Sequence, residues 1–211
     1  MTIPKIYPIT DRGLSGLSHA EQVRRLIAGG ARLIQLREKT APSGMFYEDA
    51  AEAVAAAHAV GAKIVINDRV DIALAVGADG VHLGQSDLPP PEARKLLGPA
   101  AIIGFSTHSA EQAIAAALEP VSYIAAGPIF GTRTKSDHEP VIGLAGLRAV
   151  RAAVGDIPLV AIGGIDIGSV GDVIAAGADL AAIISGIIAG PDLIAERFQQ
   201  FSRRAEAWPA I

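Results

Sequence analysis

The sequence predicts an α/β fold built as a single (β/α)8, or TIM, barrel over residues 1–211. Three observations carry this. An apolar strand followed by a helical stretch recurs eight times, with no shift in composition that would mark a second domain. The helix-to-strand junctions echo each other as GGARLIQL, VGADGVHL and AGADLAAI, each with glycine at the helix end, then alanine, a charged residue and an apolar run. Hydrophobic residues make up 50% of the chain but aromatics only 4%, so Ala, Val, Ile and Leu must fill the core, as buried parallel strands require. Eight regular units favour closure into a barrel. The runner-up is an open doubly wound sheet, but no Gly-x-Gly-x-x-Gly follows the first strand.

Taken in order, residues 5–10 are the first strand. Ser18 is placed to cap the first helix, with Glu21 three residues on in capping-box register, and that helix runs to residue 28. Residues 32–36 are the second strand, followed by Arg37, Glu38 and Lys39, and a helix spans about residues 44–59. Residues 63–66 form a β-branched third strand with Asn67 and Asp68 at its carboxyl end. Apolar residues at helical spacing over 70–76 make a short helix that Gly77 stops. Residues 81–83 are the fourth strand, with Gln85, Ser86 and Asp87 just beyond it. Pro89, Pro90 and Pro91 open the next helix, which tolerates proline in its first turn. Residues 101–105 are the fifth strand, Ser109 caps a helix through residue 118, and residues 122–126 are the sixth strand. Residues 127–143 are the one long irregular stretch, a candidate lid. A helix over 144–154, a strand over 159–162, a helix over 169–176, a strand over 180–184 and a last helix over about 192–207 complete the alternation.

Composition removes several function classes. The formal net charge of -4 offers no basic surplus for a nucleic acid. There is no cysteine, so disulfides and thiolate metal sites are out, and a reducing compartment fits. The opening MTIPKIYPIT is too short and too broken by proline for a signal peptide, and no apolar run reaches membrane-span length. The expectation is a cytoplasmic protein that acts on small molecules without nucleic acid or membrane. A homo-oligomer is compatible with the sequence, which leaves the oligomeric state open.

In such a barrel the active site forms at the carboxyl ends of the strands. Asp68 and Asp87 follow consecutive strands, which lie about 4.8 Å apart in a sheet, so both can share one small, hard cation such as Mg²⁺. Taken singly, either aspartate reads first as a helix cap or turn residue, and only the rest of the chain favours the metal. Arg37, Lys39 and Lys135 at nearby ends, with a carboxylate-bound Mg²⁺, would suit a diphosphate. Taken alone, Arg-Glu-Lys is an ordinary surface charge run. Gly163-Gly164 and Ser185-Gly186 follow the last two strands, where barrels commonly hold a phosphate on backbone N–H groups. Tight connectors would use the same glycines. One phosphate pocket and one diphosphate pocket point to joining two phosphorylated substrates with loss of pyrophosphate. There is no activated serine or cysteine nucleophile, so catalysis would rest on orientation and charge stabilisation of the leaving group.

The motifs QLREK from Gln35, INDRVDIALAVGADGVHLGQSD from Ile66, GFSTHS from Gly104, GPIFGTRTKSD from Gly127, AIGGI from Ala161 and GADLAAIISGI from Gly177 together resemble the thiamine phosphate synthase family over essentially the whole chain. The resemblance implies the barrel fold and a transferase that joins 4-amino-2-methyl-5-hydroxymethylpyrimidine diphosphate to 4-methyl-5-(2-phosphooxyethyl)thiazole. It implies that Asp68 and Asp87 hold Mg²⁺. It also implies that Gln35, Arg37, Lys39, Asn67, Ser106 and Lys135 hold the pyrimidine diphosphate, with Arg37, Lys39, Ser106 and Lys135 acting in catalysis. Thr132, Arg133, Thr134, Gly164, Ile184 and Ser185 would form the thiazole phosphate site. The family reaction is dissociative. Pyrophosphate leaves, and the thiazole nitrogen captures the resulting pyrimidine-methyl cation. Two departures, Ser86 for a frequent acidic residue and Gly131 for a common proline, remove no implied ligand.

The alternative is a related thiazole tautomerase that would use His108 as its base. Such an enzyme has no need of Asp68, Asp87, Arg37 and Lys39, all present here. A non-catalytic phosphate-binding barrel is a second alternative, and it would need Gly164 and Ser185 but no metal pair. A scaffold would leave the polar strand ends unexplained. His19, His58, His82 and His138 lack metal-ligand spacing and read as structural or surface residues.

Overall fold

The computed structural model describes residues 4–132 and 139–207. Eight parallel strands pair in sequence order and close, the first against the last. They are β1 (Ile6–Thr10), β2 (Leu33–Leu36), β3 (Lys63–Asn67), β4 (Gly80–Leu83), β5 (Ile102–Thr107), β6 (Tyr123–Ala126), β7 (Leu159–Ile162) and β8 (Leu180–Ile183). The predicted (β/α)8 barrel is therefore the fold. Around it lie α1 (Arg12–Ser15), α2 (His19–Ala28), α3 (Ser43–His58), α4 (Val70–Val76), α5 (Pro90–Leu97), α6 (Ala110–Ala116), α7 (Gly143–Val154), α8 (Val170–Ala175), α9 (Ser185–Ile188) and α10 (Ile194–Glu206). No described helix is long and apolar enough to cross a membrane.

Alternation along each strand sorts the side chains into two cores. Ile34, Ile64, Ile66, Val81, Ile103 and Ile124 point outward under the helices and are fully buried. Tyr7, Ile9, Val65, Tyr123, Val160 and Leu180 point into the barrel. Ala, Val, Ile and Leu supply most of the outer layer, where Phe46, Phe198 and Phe201 are also buried, and two of the three tyrosines stand inside the barrel.

In two of the three echoed junctions the charged residue is an aspartate with a specific task. Asp79 accepts from the backbone N–H of Ile64, at the start of the preceding strand, at 2.8 Å, and Asp179 accepts from that of Leu159 at 2.8 Å. Each carboxylate thus latches its own strand to the one before, and the strand edge is kept from fraying.

Ser18 caps α2 as expected, accepting from the Glu21 N–H at 3.1 Å. The other half of the capping box is not made, because the Glu21 carboxylate binds Arg25 instead. Two short helices lay outside the sequence reading. Asp11 caps α1, accepting from the Leu14 N–H at 3.1 Å, and α9 turns directly out of β8. Each is four residues long, too short to show a helical period.

Candidate active site

The carboxyl ends of the strands surround a cavity of about 1000 Å³. Gln35, Arg37, Lys39, Asn67, Asp68, Asp87, Ser106, Thr132, Gly164, Ile184 and Ser185 all line it, as does His108. Arg133, Thr134 and Lys135 lie outside the described residues.

The acidic side is built by two tight turns. Asp68 leaves β3 with φ 62, a left-handed backbone that a non-glycine residue seldom adopts. Its N–H is held by the His82 carbonyl at 2.8 Å, and its carbonyl accepts from the Val70 N–H at 3.1 Å. Those bonds keep the strained turn in place. Asp87 turns back over the end of β4, where its carboxylate accepts from the Gly84 N–H at 2.7 Å. Burial raises the Asp87 carboxyl above its ordinary value. The Gly84 N–H partly offsets this, and the neighbouring Asp68 carboxylate raises it further. A shared proton or a shared cation would relieve two carboxylates crowded in this way.

Cations face them. The Lys39 ammonium pairs with the Asp68 carboxylate. The Arg37 Nη1 donates to Asp11 at 3.1 Å, so the side chain stands against the wall formed by α1. Between Arg37 and Lys39, Glu38 turns inward and accepts from the backbone N–H groups of Thr40 at 2.8 Å and Ala41 at 3.0 Å. Although burial opposes ionisation, those bonds bring the Glu38 carboxyl down to about 2. Glu38 therefore shapes the loop that carries Arg37 and Lys39. Beside them, the Asn67 Nδ2 is a buried donor with no partner among the described residues. An orphaned donor facing a cavity marks a place for an acceptor from outside the chain.

The opposite side is built by glycine turns. Gly163 and Gly164 have φ of 101 and 65. A β-carbon on Gly163 would meet Pro128 at 2.6 Å, and one on Gly164 would meet the Gly131 carbonyl at 2.5 Å. The backbone bonds Ile129 N–H to Ile162 at 2.9 Å and Phe130 N–H to Gly163 at 3.0 Å lay the loop after β6 onto this turn. The neighbouring loop thus requires these glycines, as the tight-connector reading expects, and this leaves their backbone N–H groups as candidates for a phosphate. Ile184 and Ser185 begin α9, whose first N–H groups have no carbonyl before them within the helix.

His108 stands between the two sides. Its Nδ1 bonds the Gly127 carbonyl at 2.6 Å, and since a carbonyl can only accept, Nδ1 carries the hydrogen. In that tautomer the lone pair is on Nε2.

The floor of the cavity was not legible beforehand. The Ser106 Oγ lies 2.8 Å from the Nε2 of His82, and its carbonyl accepts from the Gln85 Nε2 at 2.6 Å. The reading of His82 as structural holds in that it is buried and bonded, yet it touches a cavity residue. The signal available was the position of Tyr7 and Tyr123 inside strands of an aromatic-poor chain. His19 is likewise buried, bonded to Thr10 at 2.6 Å and to Glu38 at 3.4 Å, and His58 lies on Asp79 at the surface.

A family model described as thiamine monophosphate synthase matches residues 6–187. A thiamine-phosphate synthase of Chloroflexus aurantiacus is 45% identical over 173 residues, which is 82% of this chain and 79% of that one. One of Moorella thermoacetica is 48% identical over 168 residues, 80% of each chain. The structure of a thiamine phosphate pyrophosphorylase from Pyrococcus furiosus superposes with a TM-score of 0.87 at 37% identity, covering 98% of this chain and 97% of that one.

Proposed function

The chain belongs to the thiamine monophosphate synthase family, and we propose that it joins 4-amino-2-methyl-5-hydroxymethylpyrimidine diphosphate to 4-methyl-5-(2-phosphooxyethyl)thiazole, giving thiamine phosphate and pyrophosphate. The observation that carries this reading is the meeting of Asp68, Asp87, Lys39 and the orphaned Asn67 donor on one side of a single cavity. The crowded carboxylates fit Mg²⁺, an oxygen-seeking cation commonly held by one or two carboxylates with substrate phosphates. Asp68 and Asp87 would hold it, and when bound it would neutralise charge on the diphosphate.

The chain's own residues do the rest. Arg37 and Lys39 bind the diphosphate oxygens and stabilise the charge that grows as the bond from methylene carbon to oxygen breaks, the electron pair leaving with pyrophosphate. Lys135 is assigned the same role. Asn67 donates its unpaired N–H to the same group. Gln35 and Ser106 orient the pyrimidine. Thr132, Arg133, Thr134, Gly164, Ile184 and Ser185 hold the thiazole phosphate so that the ring nitrogen faces the methylene carbon and its lone pair forms the new bond. No side chain gains or loses a proton in that exchange, which suits a site without an activated nucleophile. His108 supports a second reading, a thiazole tautomerase, because an Nε2 lone pair opposite a hydrogen-bonded Nδ1 is that of a base.

The deciding experiment mixes the protein with both substrates and Mg²⁺ and follows the two products. Pyrophosphate and thiamine phosphate formed in equal amounts, lost on adding EDTA and restored by Mg²⁺, are expected. Proton exchange on the thiazole without pyrophosphate release would replace this reading by the tautomerase.

A further inference from the structure

A chain of buried hydrogen bonds crosses the inside of the barrel and ends at Ser106. The Gln35 Nε2 donates to the Tyr7 hydroxyl at 3.3 Å, the Tyr7 and Tyr123 hydroxyls are 3.2 Å apart, the Tyr123 hydroxyl is 2.9 Å from the His82 Nδ1, and the His82 Nε2 is 2.8 Å from the Ser106 Oγ. The register of three strands makes this possible. His82, Gly104 and Tyr123 are direct neighbours on β4, β5 and β6. A β-carbon on Gly104 would stand 2.0 Å from the Tyr123 ring, so only the missing side chain lets Tyr123 reach past β5 to His82. The two rings stack with centroids 5.6 Å apart.

Such a chain has one direction in which every buried hydroxyl hydrogen finds an acceptor within it, because each hydroxyl has a single hydrogen to give and the reverse order would leave that of Tyr7 without one. The Gln35 amide nitrogen only donates, so the Tyr7 oxygen accepts from it and passes its own hydrogen to Tyr123. Tyr123, accepting from Tyr7, gives its hydrogen to the His82 Nδ1. Nδ1 is therefore the lone-pair nitrogen, and the ring hydrogen sits on Nε2 and points at the Ser106 oxygen. The Ser106 hydrogen is left over, and Ser106 lines the cavity. All members stay neutral near pH 7. Burial takes His82 down to about 4 and Tyr7 up to about 12.

We propose that Gln35, Tyr7, Tyr123 and His82 fix the Ser106 hydroxyl as a hydrogen-bond donor into the cavity, so that this position takes an acceptor without hydrogen, such as an sp² ring nitrogen, and rejects N–H or O–H. His82 is a positioning residue, since it acts through Ser106. The identity of the acceptor as a nitrogen of the pyrimidine rests on the function proposed above, while the direction of the chain does not.

Two measurements test the two parts separately. In the full chain labelled with ¹⁵N-histidine, the ring signals of His82, assigned by their loss in His82→Gln, are expected to show hydrogen on Nε2. Tyr123→Phe, which removes only the hydroxyl that holds Nδ1 as acceptor, is expected to release that preference. Hydrogen on Nδ1 in the unmodified protein would reverse the chain and overturn the proposal, whatever reaction the protein catalyses. The second measurement compares binding of the pyrimidine diphosphate with that of an analogue carrying C–H in place of the ring nitrogen. The unmodified protein is expected to bind the analogue about tenfold less tightly. In Tyr123→Phe this ratio is expected to shrink towards one while affinity for the thiazole phosphate is unchanged. An equal ratio in both proteins would remove Ser106 as a reader of the nitrogen. Failure of turnover with a normal His82 tautomer would sink the assigned reaction and leave the chain's direction standing.

Discussion

The Lys39 ammonium sits on the carboxylate of Asp68, one of the two groups that would hold a divalent cation. The same lysine is needed, on the proposed reading, by the diphosphate. Asp68→Asn removes the charge from both relations while the side chain keeps its size. Turnover at saturating Mg²⁺ is expected to fall at least ~100-fold, since a metal ligand should cost no less than the groups that orient such ligands. Turnover close to that of the unmodified protein would take Asp68 out of the metal site.

Asp11 has two tasks, one on each carboxylate oxygen. Oδ1 caps α1, and Oδ2 holds Arg37. Asp11→Ala is expected to lose about 1 kcal/mol of stability from the cap and to raise KM for the pyrimidine diphosphate. Asp11→Asn keeps a capping oxygen but not the charge. It is expected to raise KM with an unchanged denaturation midpoint, and urea titrations beside steady-state kinetics would separate the two.

Acid should loosen the barrel from within. Burial first of all keeps both His82 and His19 below their ordinary value, His82 at about 4, against 6.5 for the unfolded chain. Between those limits the unfolded state binds the proton and the native state does not, so stability is full above about 6.5 and falls as the pH drops to about 4. The slope for one such group is at most ~1.4 kcal/mol per pH unit. Urea midpoints measured from pH 7 to pH 4.5 are expected to fall, and to fall less steeply in His82→Gln. Identical slopes would mean that His82 titrates alike in both states.

Gly104→Ala tests the gap through which Tyr123 passes. The new methyl would overlap the ring, with Tyr123 Cζ at 2.0 Å and its oxygen at 2.3 Å. Overpacking of this kind typically costs ~1–3 kcal/mol, and Tyr123 should be pushed off His82. Thermal unfolding and the His82 ring signals would report the two effects. A melting temperature within a degree of the unmodified protein would show that the floor has slack.

What the sequence made legible was whatever repeats or sits at a strand end. Eight strand–helix units, the cap at Ser18 and the polar residues after each strand follow from local pattern, and closure then brings Arg37, Asp68, Asp87 and Ser106 to one mouth. Contacts between residues far apart along the strands were not legible. Tyr7 and Tyr123 are 116 residues apart and meet only once the barrel has closed. Asp11 lies between a strand and a helix of one turn, a stretch with no period to read. The glycines at 163 and 164 stand out locally as a turn, but the loop after β6 that they also accommodate is encoded by no local pattern.

Closure of β8 onto β1 has a consequence for synthesis. The first strand made is paired on one side only by the last, which ends at Ile183 in a chain of 211 residues. Until then, the nascent chain carries an open strand edge and a half-built apolar interior, the kind of surface that recruits other chains. Fragments that stop before residue 180 are thus the ones that should depend on chaperones, and a ribosome stalled late, short of the last strand, would present more open sheet and apolar surface than one stalled early.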